Sequence, residues 1–271
     1  MEEINNIKLI TKFGEKDNKK KLITVLCNDT INHIGEKDIV VRMLFVPTHG
    51  SFWLATHPEI LHPRMNEFLY DDSFTFGNGG VGEIVQKGKN VEDVELGDFI
   101  CVFGHYPCEN STCSSCYTNQ RYIECDYGEG KIIGHGNQAT DGTFAKFVVL
   151  PEHTWMKCYS KNEKPKKKDL IPFMFAFLVG DVHNALTRHK KFFKSKNLLF
   201  VGGGLSGQIA VSLKNYYNPD ARLFILEIDK RKIDLIKTYS LGPIDSFIIP
   251  EEEINEKRKL SEYTSEFAIR L

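Results

Sequence analysis

The chain is predicted to join a β-rich first half to a second half built as an α/β, doubly wound parallel sheet. Three observations carry this. Short β-branched and aliphatic runs, separated by turn residues, fill the first half. From Asp169 the pattern changes to longer apolar, helix-compatible stretches. Within these, the apolar run Asn197-Leu198-Leu199-Phe200-Val201 enters Gly202-Gly203-Gly204-Leu205-Ser206-Gly207, and a second apolar run spans Arg222 to Ile228.

Taken in order, Lys21 to Asn28 and Asp38 to Pro47 are predicted strands, with Asn28-Asp29 and Gly35 as turn signals between them. Phe76 to Gly82 is a glycine-rich turn, followed by a strand at Glu83 to Lys87. Gly97-Asp98 turns the chain into Phe99 to Gly104, and Asp141-Gly142 turns it into Thr143 to Leu150. Lys157 to Lys168 is lysine-rich and holds no interleaved aromatic ladder, which suits a solvated loop rather than a nucleic-acid patch. Leu170 to Leu178 and Asp181 to Phe193 are helix-compatible. After the glycine turn come a helix at Gln208 to Tyr217, a strand at Ile244 to Ile249 and a charged helix at Glu251 to Leu271.

A length of 271 residues suits one large or two modest domains. The composition, 41% hydrophobic and 26% charged, is that of a globular protein. A net charge of −1 offers no global field for nucleic acid or an anionic membrane, so neither is expected as a partner. The apolar run Leu170 to Gly180 is short for a bilayer span, and the polar start Met1-Glu2-Glu3-Ile4-Asn5-Asn6 shows no secretory signal, so a cytoplasmic location is expected. Seven cysteines without such a signal argue against a disulfide framework. Cys27, Cys101 and Cys158 stand in strand-like surroundings as packing residues.

Strand, glycine turn, helix, strand and then an acid, Glu227, twenty positions past Gly207, is the fingerprint of a dinucleotide-binding βαβ unit. Gly202 permits the tight turn, Gly204 lets backbone amides approach a pyrophosphate, and Gly207 lets the helix pack on the sheet. Leu205 and Ser206 open the helix, whose N-terminus favours phosphate. Glu227 would accept hydrogen bonds from ribose hydroxyls, which favours NAD over NADP. Lys230, Arg231 and Lys232 could instead meet a 2′-phosphate, and Asp229 is better placed to cap the next helix.

The spacing Cys108-x4-Cys113-x2-Cys116-x8-Cys125 suits a tetrahedral zinc site closed to substrate. Such a zinc would organise a loop that lacks a core of its own.

In this order, the motifs resemble the medium-chain dehydrogenase/reductase family, the zinc-type alcohol and polyol dehydrogenases. Gly77-Asn78-Gly79-Gly80-Val81-Gly82-Glu83-Ile84-Val85, then Gly88, then Val94-Glu95-Leu96-Gly97-Asp98-Phe99-Ile100 is similar to the family's glycine-rich segment and Gly-Asp turn. Gly142 to Pro151 is similar to the strand leading out of its catalytic domain. The resemblance implies a GroES-like, partly closed β-barrel domain over residues 1–160, with a cysteine-rich zinc lobe at 104–127. It implies a Rossmann dinucleotide-binding domain over 161–271, and an NAD(P)-dependent oxidoreductase moving hydride to or from a small alcohol, polyol or carbonyl compound. Dimers or tetramers are implied as well. The family's Rossmann sheet has six strands, and three candidates follow the fingerprint here, so an incomplete Rossmann sheet and a C-terminally short chain are expected.

The family's catalytic zinc is usually held by Cys, His and Cys or Glu. By motif those positions fall on His49, on Asn78-Gly79 and near Asp181, so the usual ligand set is absent. Two readings stay open. His49 and Asp181 could hold a metal with a third ligand such as His57 or His62. Alternatively the site is metal-free, as in the quinone and enoyl reductase branch, with His49 or Ser51 as hydrogen-bond donor or proton relay. A degenerate, non-catalytic cofactor-binding protein, with His49 merely structural, is the third possibility.

Overall fold

The computed structural model describes residues 3–16, 19–48, 73–108, 110–119, 125, 131–134, 141–189, 191–239 and 244–248. The chain divides into two compact units, Met1–Phe177 and Leu178–Leu271.

The first unit is built on strands. β1 (Ile4–Lys16) and β2 (Lys19–Ile31) pair antiparallel along their whole length, from Ile4 opposite Ile31 to Lys16 opposite Lys19. β1 escapes sequence detection because charged and amide residues interrupt its apolar alternation. β2 extends beyond the predicted strand at both ends. β3 (Ile39–Phe45), β5 (Gly80–Lys87), β6 (Phe99–Val102), β9 (Phe147–Leu150) and β10 (Trp155–Tyr159) form a five-stranded sheet in the order β10-β6-β5-β3-β9. The short β4 (Ser73–Thr75) pairs with β1, and β7 (His105–Tyr106) with β8 (Lys131–Ile132).

Three differences from the sequence expectation have local causes. The predicted glycine turn at Phe76 to Gly82 ends early, because Gly80-Val81-Gly82 already pairs with Val102, Cys101 and Ile100. The strand predicted from Thr143 begins at Phe147; the residues before it pack beside β1 through single contacts. The predicted loop from Lys157 instead continues β10 as far as Tyr159, followed by a capped 3-10 turn at Lys161–Glu163 and a short helix, α1 (Lys167–Leu170).

Residues on alternate positions of these strands make the core: Ile39, Val41, Ile84, Ile100, Val102, Val148 and Leu150. Each such side chain contributes about 1.5–3 kcal/mol on burial. The two sheets are joined where β1 passes the approach to β9. Lys146 N–H donates to Ile7 O, and Leu9 N–H donates to Phe144 O. Buried Asn6 does the work of a missing strand partner, donating from Nδ2 to Phe147 O at 3.0 Å and accepting Phe147 N–H at 2.9 Å. A partly closed barrel results.

Asp98, 1% exposed, fixes the edge of this barrel. Its carboxylate accepts the Glu95 and Lys161 N–H groups, each at 2.9 Å, and pairs with Lys157 Nζ at 2.6 Å.

Lys167–Arg188 is a helical stretch of 22 residues, interrupted by a 3-10 segment at Ile171–Phe175 and continued as α2 (Ala176–Arg188). By length and composition it is long enough to cross a membrane, which the shorter apolar run in the sequence did not suggest; the core helix of a soluble protein passes the same test.

In the second unit, β11 (Asn197–Val201), β12 (Arg222–Glu227) and β13 (Ile244–Ile248) form a parallel sheet in that order. α3 (Leu205–Tyr217) follows β11, and α4 (Lys230–Tyr239) follows β12. Val211 of α3 and Ile233 and Ile236 of α4 pack on Leu223 and Ile225, with Leu198, Phe200 and Ile244 around them. This is the strand-helix-strand-helix-strand order predicted. The charged helix predicted at Glu251 to Leu271 lies outside the described residues.

Candidate functional site

Two sites are built from residues that the sequence singled out. The first is the bend between β11 and α3. Gly202 N–H donates to Leu226 O at 2.8 Å, which holds the bend against the end of β12. Gly202 has φ of +97°, a backbone conformation that favours glycine. Gly204 is the N-cap of α3 and carries no side chain to cap it. The first N–H groups of the helix are thus left to be satisfied from outside the helix. A side chain at Gly207 would collide with the Gly202 carbonyl oxygen, whereas the space beside Gly202 and Gly204 is open. The bend is thus open on one side and closed on the other, where helix and bend touch.

Glu227 ends β12, directly beside the bend. Its Oε2 accepts Gly203 N–H at 2.6 Å, and its Oε1 accepts Ile228 N–H at 2.8 Å and Asp229 N–H at 3.1 Å. Lys232 Nζ stands 3.7 Å from Oε2. Burial alone would raise this carboxyl group's pKa, but the three backbone donors and Lys232 outweigh it and hold the pKa below the usual value. Gly203 is therefore a member of the bend that the glycine fingerprint does not single out. Its signal was its place between two assigned glycines, but the bond spans 24 positions. Asp229 accepts both the backbone and guanidinium N–H groups of Arg231, as a helix-opening residue should.

The second site is the cysteine lobe. The Sγ atoms of Cys108, Cys113, Cys116 and Cys125 all lie within 4.8 Å of one another. Cys113 and Cys125 are 3.8 Å apart, the spacing that tetrahedral zinc–sulfur bonds of about 2.3 Å impose. A single helical turn, Ser114–Thr118, brings Cys113 and Cys116 together, and Tyr117 Oη donates to Cys108 O at 2.7 Å to close the loop. Burial, followed by the neighbouring sulfurs, pushes the Cys116 thiol up to about 12. Four neutral thiols offer one another only weak S–H hydrogen bonds, such as that between Cys113 and Cys125; a divalent soft cation would satisfy all four as thiolates. The donor set fits zinc, and it leaves no open position for substrate.

The remaining candidates are not brought into a described cluster. His49 and Ser51 lie outside the described residues, as do His57 and His62. Asp181 is exposed on α2 in the second unit. Asn78 and Gly79, at the glycine segment, lie in the first unit, and a side chain at Gly79 would collide with the Phe177 ring.

Residues 35–160 match the alcohol dehydrogenase GroES-like domain. The chain is 24% identical over 208 residues to a probable D-xylulose reductase A of Neosartorya fischeri, covering 75% of this chain and 51% of that protein. It is 31% identical over 139 residues to L-threonine 3-dehydrogenase of Pyrococcus abyssi, covering 51% of this chain and 35% of that one. It thus spans about half or less of the length of these relatives. Among solved structures, L-idonate 5-dehydrogenase of Escherichia coli superposes with a TM-score of 0.72 at 13% identity, covering 97% of this chain and 66% of that one. Galactitol-1-phosphate dehydrogenase of Escherichia coli superposes with a TM-score of 0.69 at 19% identity, covering 89% and 60%. These likenesses establish the fold.

Proposed function

We propose that this chain is a member of the medium-chain dehydrogenase/reductase family and an NAD-dependent oxidoreductase acting on a small alcohol, polyol or carbonyl compound. The observation that carries the proposal is the open bend at Gly202 and Gly204, with a buried anion, Glu227, at the end of the next strand. When bound, the nicotinamide accepts or gives the hydride.

The chain's own residues supply the seat. The uncapped start of α3, with Leu205 and Ser206, offers N–H groups to the diphosphate. Gly207 keeps the helix close enough for those groups to converge. Glu227 takes the adenosine ribose, and its negative charge, buried where a 2′-phosphate would approach, disfavours NADP. Cys108, Cys113, Cys116 and Cys125 hold one zinc, whose contribution is to fold the lobe.

For the reacting end, one feature favours the metal-free reading. Gly79, at a position where the family places a ligand or its neighbour, has no room for a carboxylate beside Phe177. His49 or Ser51 then hydrogen-bonds the substrate oxygen, and Asp181 has no metal to hold. We place the chain in a homodimer or homotetramer on the family resemblance alone.

The test is turnover of the full chain, loaded with zinc, against a panel of alcohols, polyols and enones, with NADH followed by absorbance and bound zinc counted. One zinc per chain with NAD-linked turnover supports this reading. Saturable NADH binding with no turnover on any substrate would favour the non-catalytic alternative.

A further inference from the structure

Cys101 and Cys158, expected from the sequence to be independent packing residues, meet in the first unit. Cys101 is on β6 with no exposed surface. It pairs in register with Met156 of β10, and Cys158 follows two residues later, at the register shift between Lys157 and Tyr159. Both thiols converge on one acceptor. Met156 O accepts the Cys101 S–H at 3.6 Å and the Cys158 S–H at 3.8 Å. Two sulfurs at 3.6 and 3.8 Å from one oxygen are neighbours. They lie on neighbouring strands, one of which, β10, is the edge of the sheet.

We propose that Cys101 and Cys158 are a dithiol site that a peroxide converts to an intramolecular disulfide. The assignment is independent of the cofactor bend and of the zinc lobe. The chemistry uses the two sulfurs in different roles. The neighbouring Cys158 thiol, against the opposing effect of burial, lowers the Cys101 thiol below its usual range, while Cys101 and burial raise the Cys158 thiol. Cys101 is thus the sulfur that reaches the thiolate more readily, and thiolate is the form that attacks peroxide. Its attack on hydrogen peroxide breaks the O–O bond, leaving Cys101 as a sulfenic acid and releasing one water. The Cys158 sulfur then attacks the Cys101 sulfur. The S–O bond breaks, the thiol proton leaves with the hydroxyl as a second water, and the S–S bond forms. Two thiols lose two electrons and two protons to one peroxide, which ends as two waters. Among the described residues no further strand clamps the outer side of β10, so local opening of this edge strand both admits peroxide to the buried Cys101 sulfur and gives the small shift that bonding distance requires.

The test is peroxide titration of the full-length, zinc-loaded chain, followed by alkylation under denaturing conditions and peptide mapping. A peptide containing Cys101 linked to one containing Cys158, lost on treatment with dithiothreitol, is the expected product. It should appear before Cys27 is oxidised, since the Cys27 thiol donates to its neighbouring Asn28 O at 3.3 Å and serves as an internal reference. In the variant C158S the link should vanish, and dimedone added during denaturation should label Cys101 as the stranded sulfenic acid. Recovery of both cysteines as free thiols at peroxide levels that oxidise Cys27 would overturn the proposal. So would a Cys101 link to any other cysteine. The wild-type chain carries the decisive measurement even if C158S fails to fold.

Discussion

The Glu227 carboxylate and the Gly203 backbone N–H form a 2.6 Å hydrogen bond that joins the end of β12 to the bend after β11. Anion, bend and helix start are therefore one unit, and perturbing any of them should be felt at the others.

Glu227→Gln keeps the shape and removes the charge. The carboxylate accepts three N–H groups on two oxygens, so a side-chain amide must turn its NH2 toward at least one of those donors. The loss is expected to be about 1–3 kcal/mol of stability, the cost of leaving a buried donor without its partner. NADH affinity should fall while discrimination against NADPH weakens. Thermal melting and parallel titration with both coenzymes check this; an unchanged NADH-to-NADPH ratio would remove Glu227 from ribose recognition.

Gly207 and Gly204 should separate folding from binding. Gly207→Ala drives a Cβ into the Gly202 carbonyl, so it should lower the thermal midpoint and abolish coenzyme binding together. Gly204→Ala places its Cβ in open space at φ of −66° and should leave the midpoint nearly unchanged. It intrudes only on the seat for the diphosphate, so coenzyme affinity alone should drop.

The glycine bend was legible because its signal is local: turn, helix start and strand sit within about one βαβ unit of sequence. The cysteine lobe was legible by spacing for the same reason. What the sequence concealed depends on register. Asn6 stands in for a strand partner of Phe147, 141 positions away. Cys101 meets Cys158 because β6 and β10 pair in a register that sets Cys101 opposite Met156, two residues before Cys158. β1 lacks a clean alternation, and the lysines from Lys157 onward give a loop signal that masks Tyr159, which belongs with Trp155 to β10.

The zinc lobe makes a third prediction. Replacing Cys116 with Ser should remove the metal and render residues 104–127 sensitive to protease, with loss of cooperative folding in the lobe. The Cys116 thiol is held up to about 12 without metal, so zinc binding must expel its proton. Apparent zinc affinity should therefore rise with pH, and binding should release protons measurable in weakly buffered solution. A pH-independent affinity would rule out thiolate ligation.

Asp98 offers a fourth. Burial, its largest influence, would raise this carboxyl group, yet the Lys157 ammonium and the Glu95 and Lys161 N–H groups hold it below the ordinary value of 3.8. The group binds fewer protons folded than unfolded. Its stabilisation is thus present above the unfolded value and is lost as pH falls through the folded one. Asp98→Ala should cost about 1–3 kcal/mol at neutral pH by orphaning buried N–H groups. The difference from wild type should shrink in strong acid. Denaturant unfolding at neutral and acidic pH checks both; a constant difference would show that packing, not charge, is what Asp98 provides.

The most direct measurement is calorimetric titration of the folded, zinc-loaded chain with NADH and with NADPH. The account predicts saturable NADH binding, weaker NADPH binding, and loss of both in Gly207→Ala. A well-folded chain that takes up neither coenzyme would contradict it.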